Sequence, residues 1–291
     1  MYNFIRMQLR LLLRSRSFFV MLAVILLMAV LNILLLRWDL TEMQADRQIQ
    51  PEETAESAEA EYEAETEDII VGLTVETNEA WLDHAASWEE LNQTLFSGGM
   101  YFILCAVFTA IFTRADYKNG FVKNIAGQLP GRGRLALAKG AAVAVQTAVL
   151  VGLSAILNGA AGLCLLPGGI TLGSPSALLQ MLGLQYLLHL AFSWVIMLLC
   201  LLTRSSALSM TLGILISCNV FSLIYMMLDW LLQKLPGLES FRLEQYVLET
   251  NVAVISPSMS TQDVLRTLTV GCGFALGSLL LSVLLLHRRD V

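Results

Sequence analysis

The stretch FFVMLAVILLMAVLNILLL, residues 18–36, decides the fold of this chain. It carries no charged side chain, and Asn32 is its most polar residue. An α-helix rises about 1.5 Å per residue, so this stretch extends about 28 Å, close to the roughly 30 Å hydrocarbon thickness of a bilayer. A helix also satisfies its own backbone hydrogen bonds, which any segment inside lipid requires. The stretch therefore predicts a membrane-spanning helix.

A cleaved signal peptide is the alternative for this first apolar run. The apolar core of a signal peptide normally has about 7–15 residues and is followed by small residues at the cleavage site. This run is longer, and the sequence at its exit, Leu34–Trp38, offers no small residue. A retained membrane anchor is therefore the favoured interpretation.

Long apolar runs recur along the whole chain. It is 56% hydrophobic and only 14% charged, whereas soluble domains usually contain about 25% charged residues. The runs are too long and too continuous for the strands of a membrane barrel. We predict an all-α polytopic membrane protein, a domain of about six transmembrane helices over 17–291. The predicted spans are approximately 18–36, 97–113, 140–163, 177–202, 207–230 and 264–286.

The residues before the first span, 1–16, are predicted to form a cytoplasmic amphipathic helix. Arg6, Arg10 and Arg14 recur at intervals of four, which places them on one helical face. Apolar side chains fill much of the remaining surface. Such a helix lies on a membrane with its arginines toward anionic headgroups, so membrane lipid is its predicted partner.

A large acidic loop, 37–95, is predicted outside the cell. It contains seventeen acidic and two basic residues, and dense like charge favours a solvated segment. Within it, Ile69–Val75 is compatible with a short strand, and tryptophans at helical spacing predict an interfacial helix over Glu79–Leu95. The polar segment 231–262 is predicted as a second outer loop.

The distribution of lysine and arginine predicts the orientation of the chain in the membrane. With a cytoplasmic N-terminus, thirteen of the eighteen basic residues fall on the inside. They lie in the N-terminal helix, the loop 114–139, the turn around Arg204 and the C-terminal residues. Nearly all acidic residues then lie outside. We therefore predict a multi-pass protein of the cell membrane with both termini in the cytoplasm.

Motifs that would mark an enzyme are missing from the sequence. The glycine-rich stretch Gly127–Arg134 lacks the Lys-Ser/Thr of a P-loop and does not follow a strand, and neither HExxH nor GxSxG occurs. The histidines His84, His189 and His287 are scattered, and the five cysteines include no CxxC pair. We expect no catalytic, nucleotide or metal site and no cofactor in this chain.

The loop between the second and third predicted spans, residues 114–139, is the most informative polar feature. It reads RADYKNGFVKNIAGQLPGRGRLALAK, in which Gly120 interrupts a potential short helix. A positively charged anchor is one interpretation. An anchor needs only a few residues, however, and this loop is long enough to present a helix–turn surface to a cytoplasmic partner. Asp116, Lys118, Lys123 and Asn124 can lie on this short helix.

This arrangement resembles the membrane subunit of ABC-2 type transporters, especially the bacterial permeases that pair with a separate ATPase in peptide and antibiotic export or resistance. The resemblance covers the whole chain in topology, from the basic N-terminal helix to the terminal Arg-Arg-Asp. The family usually has Glu in place of Asp116, and the acidic stretch 52–68 is not part of the family pattern. The local motif is Asp116-Tyr-Lys118-Asn-Gly120-Phe-Val-Lys123-Asn124, followed by Arg132 and Arg134.

The resemblance implies a role for the loop, which in such permeases docks in a groove of the ATPase. It also implies a homodimer or heterodimer of permease subunits, ATP bound by the partner ATPase, an apolar or amphipathic peptide as substrate, and no nucleic-acid partner. The N-terminal helix would brace the same junction. The implied coupling residues are Asp116, Lys118, Gly120, Lys123, Asn124, Arg132 and Arg134.

Two polar residues of the fourth predicted span are candidates for the translocation path. Gln185 and His189 lie four residues apart on one helical face, and an ionisable residue inside a membrane suggests function by default. The alternative is a hydrogen bond between helices, or a position near the membrane interface. In the sixth span, Gly273 and Gly277 form a GxxxG motif, which predicts close helix packing within the subunit or across a dimer.

Two other functions compete with the exporter. A secondary transporter would need no ATPase, but it would call for paired ionisable residues at the membrane midplane or inverted repeats. The sequence offers one histidine and no convincing repeat. The other is a non-transporting sensor or immunity protein whose acidic outer loop binds a cationic ligand.

Overall fold

The computed structural model describes residues 2–49, 77–118, 133–166, 168–234 and 242–288. Within these ranges the chain is all-helical, with ten α-helices, two short 3-10 turns and no β-strand, so the predicted all-α class is confirmed. Ser87 and Thr171 form an isolated β-bridge. The predicted strand Ile69–Val75 and the acidic stretch 52–68 lie outside the described residues.

The helices are numbered here in chain order. They are α1 (Tyr2–Arg14), α2 (Arg16–Ile49), α3 (Trp88–Ser97), α4 (Met100–Lys118), α5 (Gly133–Leu165), α6 (Pro175–Thr203), α7 (Ser206–Ser217), α8 (Ser222–Leu232), α9 (Leu248–Val254) and α10 (Thr261–Arg288). The 3-10 turns are Glu79–Leu82 and Leu243–Tyr246.

Four helices, α2, α5, α6 and α10, are each long and apolar enough to cross a membrane alone. Two further pairs pass the same criterion together but are bent, α3 with α4 by 62° and α7 with α8 by 66°. The described part of the chain therefore has four candidate spans, or six if each bent pair crosses as one. The predicted span 207–230 differs from the structure because it is interrupted between Ser217 and Ser222.

Two predicted segments around the first outer loop need correction. Helix α2 continues to Ile49, so the start of the predicted loop 37–95 is helical. The predicted interfacial helix Glu79–Leu95 is not continuous, because a 3-10 turn is followed by a new helix that begins at Trp88. Ser87 and Glu90 form a capping box that fixes this start: the backbone N–H of Glu90 donates to Ser87 Oγ at 3.2 Å, and that of Ser87 donates to Glu90 Oε2 at 2.8 Å.

The two bent pairs touch each other at their bends. Gly99, between α3 and α4, has a φ of +69°, which glycine tolerates far better than other residues. A Cβ added there would lie 2.5 Å from the backbone oxygen of Ser217, the last residue of α7. The opposite bend contains Asn219, also left-handed at φ +54°. Backbone therefore packs directly on backbone where the helices break.

The described helices share one large apolar core, to which all the candidate spans contribute. Helix α6 packs against α4, α5 and α10, and its contact with α10 is the most extensive. A smaller cluster at the end of the bundle opposite α1 joins Ile33 and Leu36 of α2 to Trp81, Leu91 and Leu166. The core positions the two ends of the bundle, where most polar contacts lie.

We predict that Gly99→Ala destabilises the fold. The alanine would have to keep a left-handed conformation, which costs about 1–2 kcal/mol, and would also displace the backbone of Ser217. Thermal unfolding in detergent should show a clear fall in Tm. Gly183→Ala is the matched control, because a Cβ at Gly183 meets nothing within 4 Å and alanine favours a helix. Equal Tm values for the two variants would contradict this account of the bend.

Candidate functional site

One end of the bundle, called here the basic end, is formed by α1, the C-terminal end of α4 and the N-terminal end of α5. Helix α1 packs mainly on α5 and buries Gln8 and Leu12. Arg6, Arg10 and Arg14 are all exposed, so α1 turns an apolar and amide face inward and an arginine face outward. Whether the arginines meet lipid headgroups stays a prediction.

A buried lysine joins α4 and α5 at the basic end. Lys139, on the second turn of α5, is only 2% exposed. Its Nζ donates a hydrogen bond to the backbone oxygen of Thr113 in α4, at 3.0 Å, and lies 5.1 Å from the ring centroid of Phe112. A buried ammonium is costly unless it is hydrogen-bonded, and an aromatic face adds further stabilisation. The side chain therefore fixes the spacing of the two helices.

The residue that follows extends this junction to two more helices. Gly140 accepts a hydrogen bond through its backbone oxygen from Trp194 Nε1 of α6, at 3.0 Å. A Cβ at Gly140 would lie 2.8 Å from Leu279 Cδ1 of α10, so this position brings α5 and α10 close together. Four helices meet within one turn of Lys139. The Lys139 and Gly140 contacts therefore link α4 and α5 to α6 and α10 at this level.

The predicted coupling residues surround this junction in sequence. Asp116 and Lys118 fall in the last turn of α4, where the structure describes the backbone alone. Arg134 is exposed on the first turn of α5. The remaining four lie outside the described residues, so the structure gives the two stems of the loop and not its tip. These four are Gly120, Lys123, Asn124 and Arg132.

Gln185 and His189 lie deep inside the bundle, both 0% exposed. His189 Nδ1 is 2.7 Å from the backbone oxygen of Gln185, one turn earlier in α6. A carbonyl can only accept, so Nδ1 carries the proton and neutral His189 offers Nε2 as an acceptor. This hydrogen bond lies within α6, whereas the structural alternative for His189 was a hydrogen bond between helices.

Aromatic rings surround the imidazole of His189. The ring centroids of Phe102 and Phe96 lie 4.8 Å and 5.6 Å away, and Phe102 stacks on Phe192 at 4.4 Å. Among the described residues, His189 Nε2 and both polar side-chain atoms of Gln185 have no hydrogen-bond partner. Gln185 and His189 therefore place polar atoms that lack hydrogen-bond partners beside these aromatic rings, in the interior of the subunit and inaccessible from its surface.

The end of the bundle opposite the basic end is closed by α3. The ring of Trp88 occupies a gap at Gly159, where an added Cβ would lie 2.5 Å from Nε1, and this nitrogen donates to the backbone oxygen of Ala155 at 3.1 Å. Asn158 donates to the backbone oxygen of Leu91 at 2.7 Å and accepts from Asn32 at 3.1 Å. One amide therefore ties α2, α3 and α5 together.

Sequence reasoning missed the residues that organise both ends. Lys139 was counted only as a basic residue of the loop, although a single lysine in the run LALAKGAAVAV is itself a signal of a specific partner. The Ser87–Glu90 capping box was equally visible in the sequence. The aromatic wall around His189 joins three helices, and no local pattern reveals it.

No model of a known protein family matches the chain, and no curated protein matches it.

We predict that Lys139→Ala loosens the junction. The variant loses a buried charge-assisted hydrogen bond and leaves a cavity, which should lower the free energy of unfolding by about 2–5 kcal/mol. Chemical denaturation in detergent would measure this change. Arg134→Ala is the control, since this exposed residue of the same helix should shift stability by at most about 0.5 kcal/mol. Similar losses for both variants would argue against a specific role of Lys139.

Proposed function

We propose that this chain is the permease subunit of an ABC-2 type exporter, driven by a separate ATPase. The observation that carries the proposal is the pinned junction at the base of the loop 114–139. The loop leaves α4 and enters α5, and Lys139 joins these helices only a few residues from its ends. Helix α1, which carries the exposed arginine face, packs on α5, one of the two stems of this loop. A partner bound to this loop would therefore also be mechanically connected to the helical bundle.

The proposed mechanism is a rigid push delivered through α4. ATP-driven closure of two ATPase subunits would move the loop, and the Lys139 junction would pass this movement to four helices. At its far end α4 reaches Gly99, which contacts Ser217 at the other bend. A displacement along α4 thus arrives where both bent pairs are broken, and a broken helix can shift one half against the other.

We further propose that each bent pair crosses the membrane as one span, which gives six spans with both termini in the cytoplasm of the cell membrane. The basic end then faces the cytoplasm, in keeping with the excess of lysine and arginine there. Two subunits would form a homodimer or heterodimer, with the translocation path between the two six-helix subunits. An amphipathic peptide is the proposed substrate, and Gln185 and His189 would face it only after α3 and α4 move away from α6.

A secondary transporter is the second candidate. The observation in its favour is the enclosed pair of Gln185 and His189, whose unmatched polar atoms suit a coupling ion or proton inside a bundle. It does not explain why the loop 114–139 is long and basic, so we place it second. The sensor or immunity reading depends on the stretch 52–68, which lies outside the described residues.

The proposed orientation predicts which loops are accessible from outside. In a cysteine-free background, Ser57→Cys should react with a membrane-impermeant maleimide on intact cells. Gln128→Cys should react only after the cells are permeabilised. Labelling of Gln128→Cys on intact cells would place the coupling loop on the wrong side and end the exporter proposal.

The partnership with an ATPase is tested by co-purification from native membranes in mild detergent. The unaltered chain should recover a nucleotide-binding subunit and ATP hydrolysis. Lys123→Glu and Arg134→Glu reverse the charge of the docking loop and should abolish recovery. Arg47→Glu is the control at the opposite end, where Arg47 pairs with Asp83 at 3.0 Å on the surface, and it should leave recovery unchanged.

Recovery of the ATPase by all three charge-reversed variants would contradict docking through this loop. Failure of any nucleotide-binding subunit to co-purify with the unaltered chain, together with the lack of such a gene beside this one, would reject the exporter proposal. The secondary transporter would then be favoured.

A further inference from the structure

A long groove of about 830 Å³ runs along the surface of the bundle between α6 and α10. Its walls are apolar over most of their length, with Val195 and Leu198 on α6 and Val270, Phe274 and Leu281 on α10. The groove has no part in the proposed coupling mechanism. Its two ends differ in chemistry, and this difference indicates what it binds.

Charged and long polar side chains line the groove only where α10 begins, and the hydroxyls of Thr269 and Ser278 farther along donate to backbone oxygens of α10 itself. Tyr246, Gln262 and Arg266 come together there, from the second 3-10 turn and the first turns of α10. Arg266 donates through one terminal nitrogen to Asp263 at 2.9 Å. Its Nε is buried, and within the described part of the chain it has no hydrogen-bond acceptor. The Arg266 side chain is 25% exposed and lines the groove. Because Nε is shielded, an oxygen acceptor in the groove would bind the terminal nitrogens, and phosphate fits the donor geometry of a guanidinium.

The floor of the groove is open along the apolar part. An added Cβ at Gly273 or Gly277 meets nothing within 4 Å, so these glycines form the bottom of the groove instead of a packed helix contact. From Arg266 to Leu281 the helix rises about 22 Å, which exceeds the roughly 15 Å thickness of one leaflet's hydrocarbon. The apolar part is thus long enough for one acyl chain.

We propose that this groove binds a membrane glycerophospholipid, with its phosphodiester on Arg266 and one acyl chain over Gly273 and Gly277. The amphipathic lining of the groove favours a phospholipid over other occupants. A phospholipid needs an acceptor site at one end and an apolar bed for the rest, which is the observed order. A transmembrane helix of a second copy would use the small residues on the floor but would leave the Arg266 donor unexplained.

The test is native mass spectrometry of the purified chain after detergent exchange, with palmitoyl-oleoyl phosphatidylglycerol as the added lipid. The unaltered chain should retain one lipid. Gly277→Leu fills the open floor and should lower the apparent affinity at least about tenfold. Arg266→Gln removes the charged donor and should also lower it about tenfold or more, the usual effect of losing a charge-assisted hydrogen bond.

Two variants control for general effects. Gly183→Leu adds the same side chain at an open position of α6 outside the groove, and Arg47→Gln removes another arginine at the same end of the bundle. Both should retain lipid like the unaltered chain. If Gly277→Leu does not purify as a folded protein, Gly273→Val probes the same floor with a smaller side chain.

Several outcomes would overturn the proposal. Unchanged lipid retention by the floor variants is one. Loss in Gly277→Leu without loss in Arg266→Gln, or equal competition by a long-chain alcohol, would show an apolar surface that does not read phosphate. A change of Gly277→Leu from dimer to monomer with lipid retention intact would assign the groove to a second copy of the chain.

Discussion

A backbone inside lipid must satisfy its own hydrogen bonds, and this constraint applies to both helix breaks if each bent pair crosses the membrane as one span, as proposed above. Gly99 and Ser217 stand at the two breaks and are in van der Waals contact. The backbone between α7 and α8 stays bonded through short turns, since Cys218, Asn219 and Val220 donate to carbonyls of the last turn of α7. The break between α7 and α8 is only partly covered by the rest of the protein, because Val220 is 41% exposed and Cys218 and Asn219 are half-buried. These turn hydrogen bonds therefore satisfy the backbone donors at the break.

The basic end obeys a related constraint in a different way. An ammonium carried into an apolar bundle must find fixed partners, and Lys139 finds the Thr113 carbonyl and the Phe112 ring. Because these partners lie on α4, satisfying one charge ties α4 and α5 together at this level. The stiffness that the proposed mechanism requires is thus a by-product of solvating one side chain.

How much the sequence could predict depends on the range of each interaction. The apolar runs predict the helical class and the approximate spans, because membrane crossing is decided by local composition. The break at 218–221 is not visible in this way, since the run 207–230 is apolar enough as a whole to predict one span, and the short polar residues Ser217, Asn219 and Ser222 do not by themselves indicate a bend. The capping box of Ser87 and Glu90 is local, so the sequence alone contains the information that predicts it.

The features of the candidate site likewise divide into those set by local sequence and those set by contacts between distant residues. The exposed arginines of α1 follow from spacing by four, whereas the burial of Lys139 depends on how α4 and α5 lie against each other. The partners of His189 come from α3, α4 and α6, and only the assembled bundle brings them together. Most of the predicted coupling residues lie outside the described ranges, so for them the sequence motif remains the sole basis.

The fit of Trp88 into the gap at Gly159 makes these two positions interdependent. Any larger residue at 159 would displace the indole ring of Trp88, and any smaller residue at 88 would leave a cavity beside α5. Neither position can therefore vary freely while the other is fixed. We therefore expect tolerated substitutions to come in pairs, with a larger residue at 159 accompanied by a smaller residue at 88, so that the two positions would covary.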